Sequence, residues 1–285
     1  MKVFLTGANG FVGSHVLDIL LKMKADLVLL LRSTSDTRFI AGSLPGVTIH
    51  HGSLDDPDIL ETAMRGVDAV IHCAGKTKAL KVAEYGAVNF HGAQNVVSAA
   101  NAHRNSIKHL IHISSLAVSG PGDLRQPARE TAPPRPVSAY GRSKLRGEEA
   151  VVRESRVPWT VLRPAAVYGP RDADFFNVFR LMKKRIMPVI GGGKRPLSLV
   201  YVRDVARSVR HCLGREEAIS KVYHVAAEPP SSDEMLSQEI AAQMGVRPLR
   251  LILPASTLYP LCLAQEALSR LTGRPSILNR QKVCP

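Results

Sequence analysis

Tyr140 and Lys144 stand four residues apart in the run Tyr140-Gly141-Arg142-Ser143-Lys144, a spacing that sets both side chains on one face of a helix. A phenol titrates near 10, too high to be poised at neutral pH. A neighbouring ammonium favours the phenolate and lowers that value. The pair is therefore suited to act as general acid or base on a carbonyl/alcohol couple. Ser115 follows the apolar run Leu110 to Ile113, at the carboxyl end of an expected strand, where its hydroxyl can hydrogen-bond a substrate oxygen. A turn-capping serine is the other reading of that position.

A second constellation is Thr6-Gly7-Ala8-Asn9-Gly10-Phe11-Val12-Gly13. It lies between a strand pattern and a helix pattern, the context that gives a glycine triplet meaning. Gly7 permits the sharp turn, Gly10 lets backbone approach a pyrophosphate, and Gly13 allows close helix–strand packing. The helix start then offers unpaired N–H groups and partial positive charge to phosphates. A glycine-rich turn without a ligand is the plainer alternative. The pattern GxxxxGK[ST] is absent, which disfavours a P-loop nucleotidase.

Leu31-Arg32-Ser33 follows the second strand, with no acid before Asp36. A carboxylate at this point accepts hydrogen bonds from the ribose hydroxyls of NAD. A guanidinium instead pairs with a 2′-phosphate and stacks on adenine. NADP is therefore the favoured cofactor, with NAD as the alternative. Arg38 is a weaker second candidate, and an ordinary surface arginine is the plain reading of either.

These residues must be positioned by something, and the pattern of the chain says what. Short apolar runs (Val3 to Leu5, Leu27 to Leu31, Val47 to Ile49, Ala69 to His72, Leu110 to Ile113, Trp159 to Leu162) alternate with helical patterns (Ser14 to Lys22, Ile59 to Met64, Ala93 to Ala102, Lys144 to Val152). Continuous apolar strands separated by helices indicate a parallel sheet buried on both faces. The fold class is α/β, a doubly wound Rossmann sheet. Residues 1–171 form the dinucleotide-binding domain, with 197–227 returning to it. Residues 172–196 and 228–285 form a smaller lobe over the sheet's carboxyl edge, with helices expected at Phe175 to Lys184 and Ser232 to Met244. Gly120 to Pro136 is expected as a surface excursion.

Composition narrows the classes. The chain has 285 residues, 45% hydrophobic and 22% charged, ordinary for a soluble globular protein. Net charge is +14, and residues 121–215 hold 20 Lys+Arg against 8 Asp+Glu. Such a field attracts dinucleotide phosphates, acidic substrates, nucleic acid or a membrane surface, or is simply solvated surface. Cys73, Cys212, Cys262 and Cys284 show no metal-ligand spacing, so no metal site is expected. The N-terminus runs directly into a strand pattern, so no signal peptide is expected. The longest apolar stretch, Leu249 to Leu263, is broken by Pro254 and Pro260 and is too short to span a bilayer. A reduced, cytoplasmic protein follows. With 5% aromatic residues and no nucleic-acid motif, a nucleic-acid partner is not expected.

The chain resembles extended short-chain dehydrogenases/reductases of the NAD-dependent epimerase/dehydratase superfamily. The resemblance rests on TGANGFVG (6–13), HGSLDDP (51–57), VIHCAG (70–75), VNFHGAQNV (88–96), HISSLAVSG (112–120), YGRSK (140–144), LRPAAVYGPRD (162–172) and VYVRDVA (200–206). Within it, LLLRSTSD (29–36) and ALSRLTGRPSILNR (267–280) are similar to the dihydroflavonol reductase, 3β-hydroxysteroid dehydrogenase and hopanoid-associated epimerase-like groups. The resemblance implies that Tyr140 is the catalytic acid/base, that Lys144 binds the nicotinamide ribose and lowers the Tyr140 pKa, and that Ser115 orients the substrate carbonyl. It implies that Asn9, Phe11 and Val12 line the pyrophosphate and that Ser53 and Leu54 flank adenine, Ser53 standing where relatives usually have Asp. Ala74 and Gly75 abut the cofactor. Pro164, Ala165 and Val167 cover the nicotinamide side, and Asn89 stabilises the fold behind the site. It also implies a homodimer through helices around 93–102 and 144–153.

Two departures bear on substrate. The arginine that grips a nucleotide diphosphate in many relatives aligns with Leu197, with Arg195 two residues earlier. The chain also ends at Pro285 where relatives often continue, which leaves the substrate lobe in question. The leading expectation is an NADP-dependent oxidoreductase acting on a small-molecule carbonyl or alcohol, with the apolar Leu251 to Leu263 suggesting a hydrophobic one. A nucleotide-sugar epimerase or dehydratase uses the same three side chains and stands as the alternative. A non-catalytic dinucleotide-binding or nucleic-acid-binding protein is the third class.

Overall fold

The computed structural model describes residues 1–122, 127–190 and 196–253. Its N-terminal part alternates strand and helix: β1 (Lys2–Thr6), α1 (Phe11–Lys22), β2 (Asp26–Leu31), β3 (Thr48–His51), α2 (Pro57–Ala63), β4 (Ala69–His72), α3 (Val82–Tyr85), α4 (Gly92–Ala102), β5 (His109–Ile113), α5 (Ala139–Glu154) and β6 (Trp159–Pro164). There follow β7 (Ala166–Tyr168), α6 (Ala173–Lys183), β8 (Ile186–Ile190), β9 (Pro196–Leu197), β10 (Leu199–Tyr201), α7 (Val202–Cys212), β11 (Lys221–Val225), β12 (Ser231–Ser232), α8 (Asp233–Gln243) and β13 (Leu249–Leu253).

Seven strands make one parallel sheet in the order β11-β6-β5-β4-β1-β2-β3. This is the doubly wound Rossmann architecture. Strand order reverses between β1 and β4, and the crevice at the carboxyl ends of those strands is where such sheets take ligands. Alternation along the strands splits the core into two layers. Leu5, Leu29 and Ile71 face α1 and α7. Phe4, Val70 and Leu110 face the layer of α2, α4 and α5.

Helix α7 was not anticipated from the sequence. It buries Val202, Val205, Ala206, Val209 and Cys212 and exposes Arg203, Asp204, Arg207 and Arg210. It packs on α1 and carries the chain back to β11 at the sheet's edge.

Away from the sheet, β8 and β13 form a two-stranded parallel pair. Met187 and Val189 of β8 pack with Met182 of α6 and Ile240 of α8 in a separate small core. The apolar stretch beyond Leu253, the motif at 267–280, Cys262 and Cys284 lie outside the described residues, as does Arg195. Among the described residues no helix is long and apolar enough to cross a membrane.

Candidate active site

Thr6 ends β1, and the chain turns at Gly7 with φ +74°. A β-carbon at Gly7 would lie 2.6 Å from the Ala74 nitrogen, so the turn after β1 and the loop after β4 touch backbone to backbone. A β-carbon at Gly13 would lie 2.0 Å from the Gly7 carbonyl oxygen, which is the close helix–turn packing the third glycine allows. Gly10 caps α1 without any side-chain hydrogen bond, and no acid sits in the first turn. The N–H groups opening α1 therefore remain available to an anion.

A cavity of about 390 Å³ opens in front of this turn. It is lined by Gly7, Asn9 and Gly10 at one wall, by Arg32, Ser53 and Leu54 at another, and by Ala74 and Gly75 beneath. Its uncapped helix, small residues beneath and close backbone approach fit a dinucleotide. Phe11, Val12 and Gly13 do not line the cavity. They form the first turn of α1, and Val12 packs with Ala165, Val167 and Leu116 in an apolar cluster. Pro164 closes β6, and the Ala165 N–H donates to the Val225 carbonyl at 2.9 Å.

Arg32 is exposed at the cavity wall, with no carboxylate paired to its guanidinium among the described residues. Its backbone N–H donates to Ser35 Oγ at 3.1 Å. Arg38, the weaker candidate, is taken by Asp36, with Nε to Oδ2 at 2.7 Å. The hydrogen bond from the Arg38 backbone N–H, and then this pairing, hold the Asp36 carboxyl below its ordinary value, and the pairing separates the roles of the two arginines.

Tyr140 and Lys144 lie one turn apart on α5, whose N-cap Ser138 accepts from the Gly141 N–H at 2.9 Å. Ser115 lies beside Tyr140 and caps the short turn Leu116–Val118, accepting from Ala117 N–H at 3.2 Å. The turn-capping reading of that serine is therefore observed. Lys144 is buried and donates to the Ile113 carbonyl at 2.7 Å. A β-carbon at Gly75 would be 3.7 Å from its Nζ, so the ammonium lies next to the Gly75 wall, although Lys144, Tyr140 and Ser115 do not themselves line the cavity. Burial pushes Lys144 down to about 8. Burial also raises Tyr140 above the ordinary phenol value, and the neighbouring Ser115 hydroxyl opposes the rise. Here the serine, rather than the lysine, is the group that favours the phenolate.

Several contributors were not singled out in the sequence. The Tyr85 ring meets Tyr140 edge-on with centroids 6.0 Å apart. Glu148, one turn beyond Lys144, is buried, takes Arg163 Nε at 3.0 Å and the Ser114 hydroxyl at 2.9 Å, and pairs again with Arg163 through its other oxygen. That pair ties α5 to β6 and to the residue before Ser115. Thr6 Oγ1 accepts from the Ala74 N–H at 3.2 Å and pairs with His72 Nδ1 at 2.8 Å, joining the two loops that meet at Gly7. The short helix-compatible spacing of Lys144 and Glu148 was visible in the sequence; Arg163 and His72 become partners only through the sheet. Asn89 is buried behind the site, accepting from Lys76 N–H at 2.7 Å and donating to Ser143 at 2.9 Å. Leu197, at the aligned arginine position, pairs with Ser231 in the small β9–β12 ladder. No metal-holding cluster occurs among the described residues.

Comparison with known proteins agrees with this geometry. The model for the NAD dependent epimerase/dehydratase family matches residues 3–226. An N-acetyl-alpha-D-glucosaminyl-diphospho-ditrans,octacis-undecaprenol 4-epimerase of Escherichia coli is 28% identical, covering 99% of this chain and 84% of its own. A ceramide reductase of Caulobacter vibrioides is 29% identical over 98% of this chain and 82% of its own. A decarboxylating sterol-4-alpha-carboxylate 3-dehydrogenase of Dictyostelium discoideum is 30% identical over 73% and 66%. Among solved structures, gox2253 superposes with a TM-score of 0.80 at 28% identity, covering 99% of this chain and 86% of its own. The Thermus thermophilus UDP-glucose 4-epimerase complex with NAD gives 0.75 at 25% identity, covering 89% and 86%.

Proposed function

The chain belongs to the NAD-dependent epimerase/dehydratase family, and we propose that within it this enzyme is an NADP-preferring oxidoreductase that reduces a carbonyl or oxidises an alcohol. The observation that carries the reading is Tyr140 one helical turn from the buried Lys144 on α5, with Ser115 beside the phenol and Gly75 of the cavity wall next to the lysine ammonium. A bound reduced nicotinamide supplies hydride to the carbonyl carbon. Tyr140 gives its proton to the oxygen, Ser115 holds that oxygen in line and favours the phenolate left behind, and Lys144 binds the nicotinamide ribose. Arg32, exposed at the adenosine end without a carboxylate partner, supports the 2′-phosphate and hence NADP. The relatives named for ceramide, a sterol and an undecaprenol-linked sugar support a lipid-like substrate. The α4–α5 face is the surface through which we propose a homodimer, and the cytoplasm is its proposed compartment.

A second reading, a lipid-linked sugar epimerase, is favoured by the Escherichia coli relative that matches 99% of the chain. The two separate by cofactor behaviour, because an epimerase returns the hydride to its substrate and consumes no NADPH. The test combines titration of NADPH and NADH with turnover of apolar ketones by the wild type and Tyr140→Phe. Reduction is expected to fall about a thousandfold in the variant, with NADPH binding retained. Full activity in Tyr140→Phe sinks the proposal. Tightly retained NAD with isomerisation and no net NADPH consumption establishes the second reading instead.

A further inference from the structure

Exposed large apolar side chains occur in the segments flanking the start of α5 and in α6. Leu80 lies in the loop after β4, and Val82, 65% exposed, opens the single turn α3 that ends at Tyr85. Tyr85 rests its ring on Tyr140, so Val82 stands about one helical turn from the catalytic phenol's neighbour. Val137, also exposed, comes one residue before the N-cap of α5. From the opposite side α6 presents Phe176, 59% exposed, and Phe179. An ion pair between Lys78 and Asp174 joins the loop of Leu80 to the first turn of α6. The five side chains therefore come from three segments, linked by that ion pair and by the Tyr85–Tyr140 ring contact.

Cations are interleaved with them. Lys81, Arg142, Arg180 and Lys183 are exposed in the same segments, and none pairs with a carboxylate among the described residues. The local acids are already engaged. Glu84 pairs with Lys76, Asp174 with Lys78, and Asp172 caps α6 by accepting from the Asp174 and Phe175 N–H groups. The rim they form thus combines exposed aromatic and aliphatic groups with uncompensated positive charge. A scattering of single apolar residues needs no explanation, but a cluster next to a candidate active site marks an interaction surface. Basic residues beside apolar ones are the composition that binds anionic lipid, by charge attraction and by insertion of the apolar tips.

We propose that this rim seats on an anionic lipid surface, from which a lipid-tailed substrate enters the cleft head first. The inference rests on the carbonyl-reductase reading above and names where that substrate is presented. Tail atoms too apolar for water remain among Phe176, Phe179, Leu80 and Val82, while the carbonyl head reaches Ser115 and Tyr140. The residues at 121–215, whose basic excess was left open between a binding field and a solvated face, supply three of the four rim cations.

Sedimentation of the full chain with vesicles tests the surface without requiring the substrate. Mixed phosphatidylglycerol–phosphatidylcholine vesicles are compared with phosphatidylcholine alone, for the wild type and for Phe176→Ser/Phe179→Ser. The double variant keeps net charge constant and alters only exposed side chains. Binding is expected to the anionic vesicles, weakened about tenfold by the double variant. No vesicle binding overturns the proposal, and so does binding that the double variant leaves unchanged, which would be bulk charge alone. Concentration-dependent self-association abolished by the double variant, without vesicle binding, also overturns it in favour of a second copy. NADPH titration of the same samples keeps the two readings apart. A protein that binds NADPH and ignores vesicles loses only the docking surface, and one that binds vesicles but no dinucleotide loses the reductase reading.

Discussion

Gly7 and Gly245 share a left-handed backbone, with φ of +74° and +64°, in two regions built very differently. Gly7 turns the chain where two loops of the seven-stranded sheet meet, and a β-carbon there would strike the Ala74 backbone at 2.6 Å. Gly245 ends α8 in the C-terminal layer, where a β-carbon would meet nothing within 4 Å. The first glycine serves a close approach that shapes the cavity proposed for the dinucleotide, and the second only terminates a helix. The comparison separates two costs that usually arrive together: the strain of positive φ in a residue with a side chain, and the collision of that side chain with its surroundings.

The largest effect is expected at the sheet. Gly7→Ala incurs the left-handed penalty of about 1–2 kcal/mol, and the Ala74 backbone must in addition move aside, an overpacking cost of about 1–3 kcal/mol. Moving Ala74 breaks its 3.2 Å hydrogen bond to Thr6 and tilts the floor of the cavity. The variant is expected to lose about 3 kcal/mol of stability and NADPH affinity by about a hundredfold, read by denaturant melts and cofactor titration. Undiminished NADPH binding would show that the loop contact does not shape the site.

The same contrast explains what could be read from the sequence. The sheet was legible because its strands are continuous apolar runs and its glycine triplet sits between a strand and a helix. The candidate catalytic pair was legible as a geometry because Tyr140 and Lys144 report their spacing through one helix. The supports were not, since Arg163 reaches Glu148 across α5 and β6, and His72 reaches Thr6 across β4 and β1. Such pairings are set by sheet order, which no local spacing encodes. Helix α7 is a different case. Val202, Val205, Ala206 and Val209 repeat at helical intervals and were legible, but the run was read only as a family motif. In the outer layer β9 and β12 have two residues each, too few to show any periodicity.

The expectation that Lys144 would draw down the Tyr140 pKa also needs its sheet context. Buried on the Ile113 carbonyl, the lysine is itself pushed down to about 8 from 10.5. Between those values the unfolded chain holds the proton more firmly than the folded one, so this group makes stability rise with pH from about 8. Cys73, pushed up from 9.0 to about 12 by burial, acts in the opposite direction above pH 9, because there the unfolded chain loses a proton that the folded one keeps. The interval from pH 8 to 9 is therefore where Lys144 is read most cleanly. The wild type should gain about 1 kcal/mol relative to Lys144→Met across it. Parallel stability profiles for the two proteins would show that the lysine is not held in a strongly desolvated setting.

The smallest effect completes the comparison. Helix α8 closes with Gly245 N–H on the Ala242 carbonyl at 3.1 Å and Val246 N–H on the Ala241 carbonyl at 3.0 Å, the paired bonds of a Schellman cap. Alanine can make both bonds, since neither uses a side chain. It incurs the left-handed strain of about 1–2 kcal/mol, offset by about 0.4–1 kcal/mol because alanine restricts the unfolded chain more than glycine does. Gly245→Ala should therefore cost about 0.5–1 kcal/mol and leave NADPH affinity unchanged, since nothing around it touches the cavity. The difference between the two alanine variants is then the energy of the Gly7–Ala74 contact. Equal losses in both would mean that the loops at the cofactor site yield as readily as open solvent, and that backbone strain alone explains why glycine stands at Gly7.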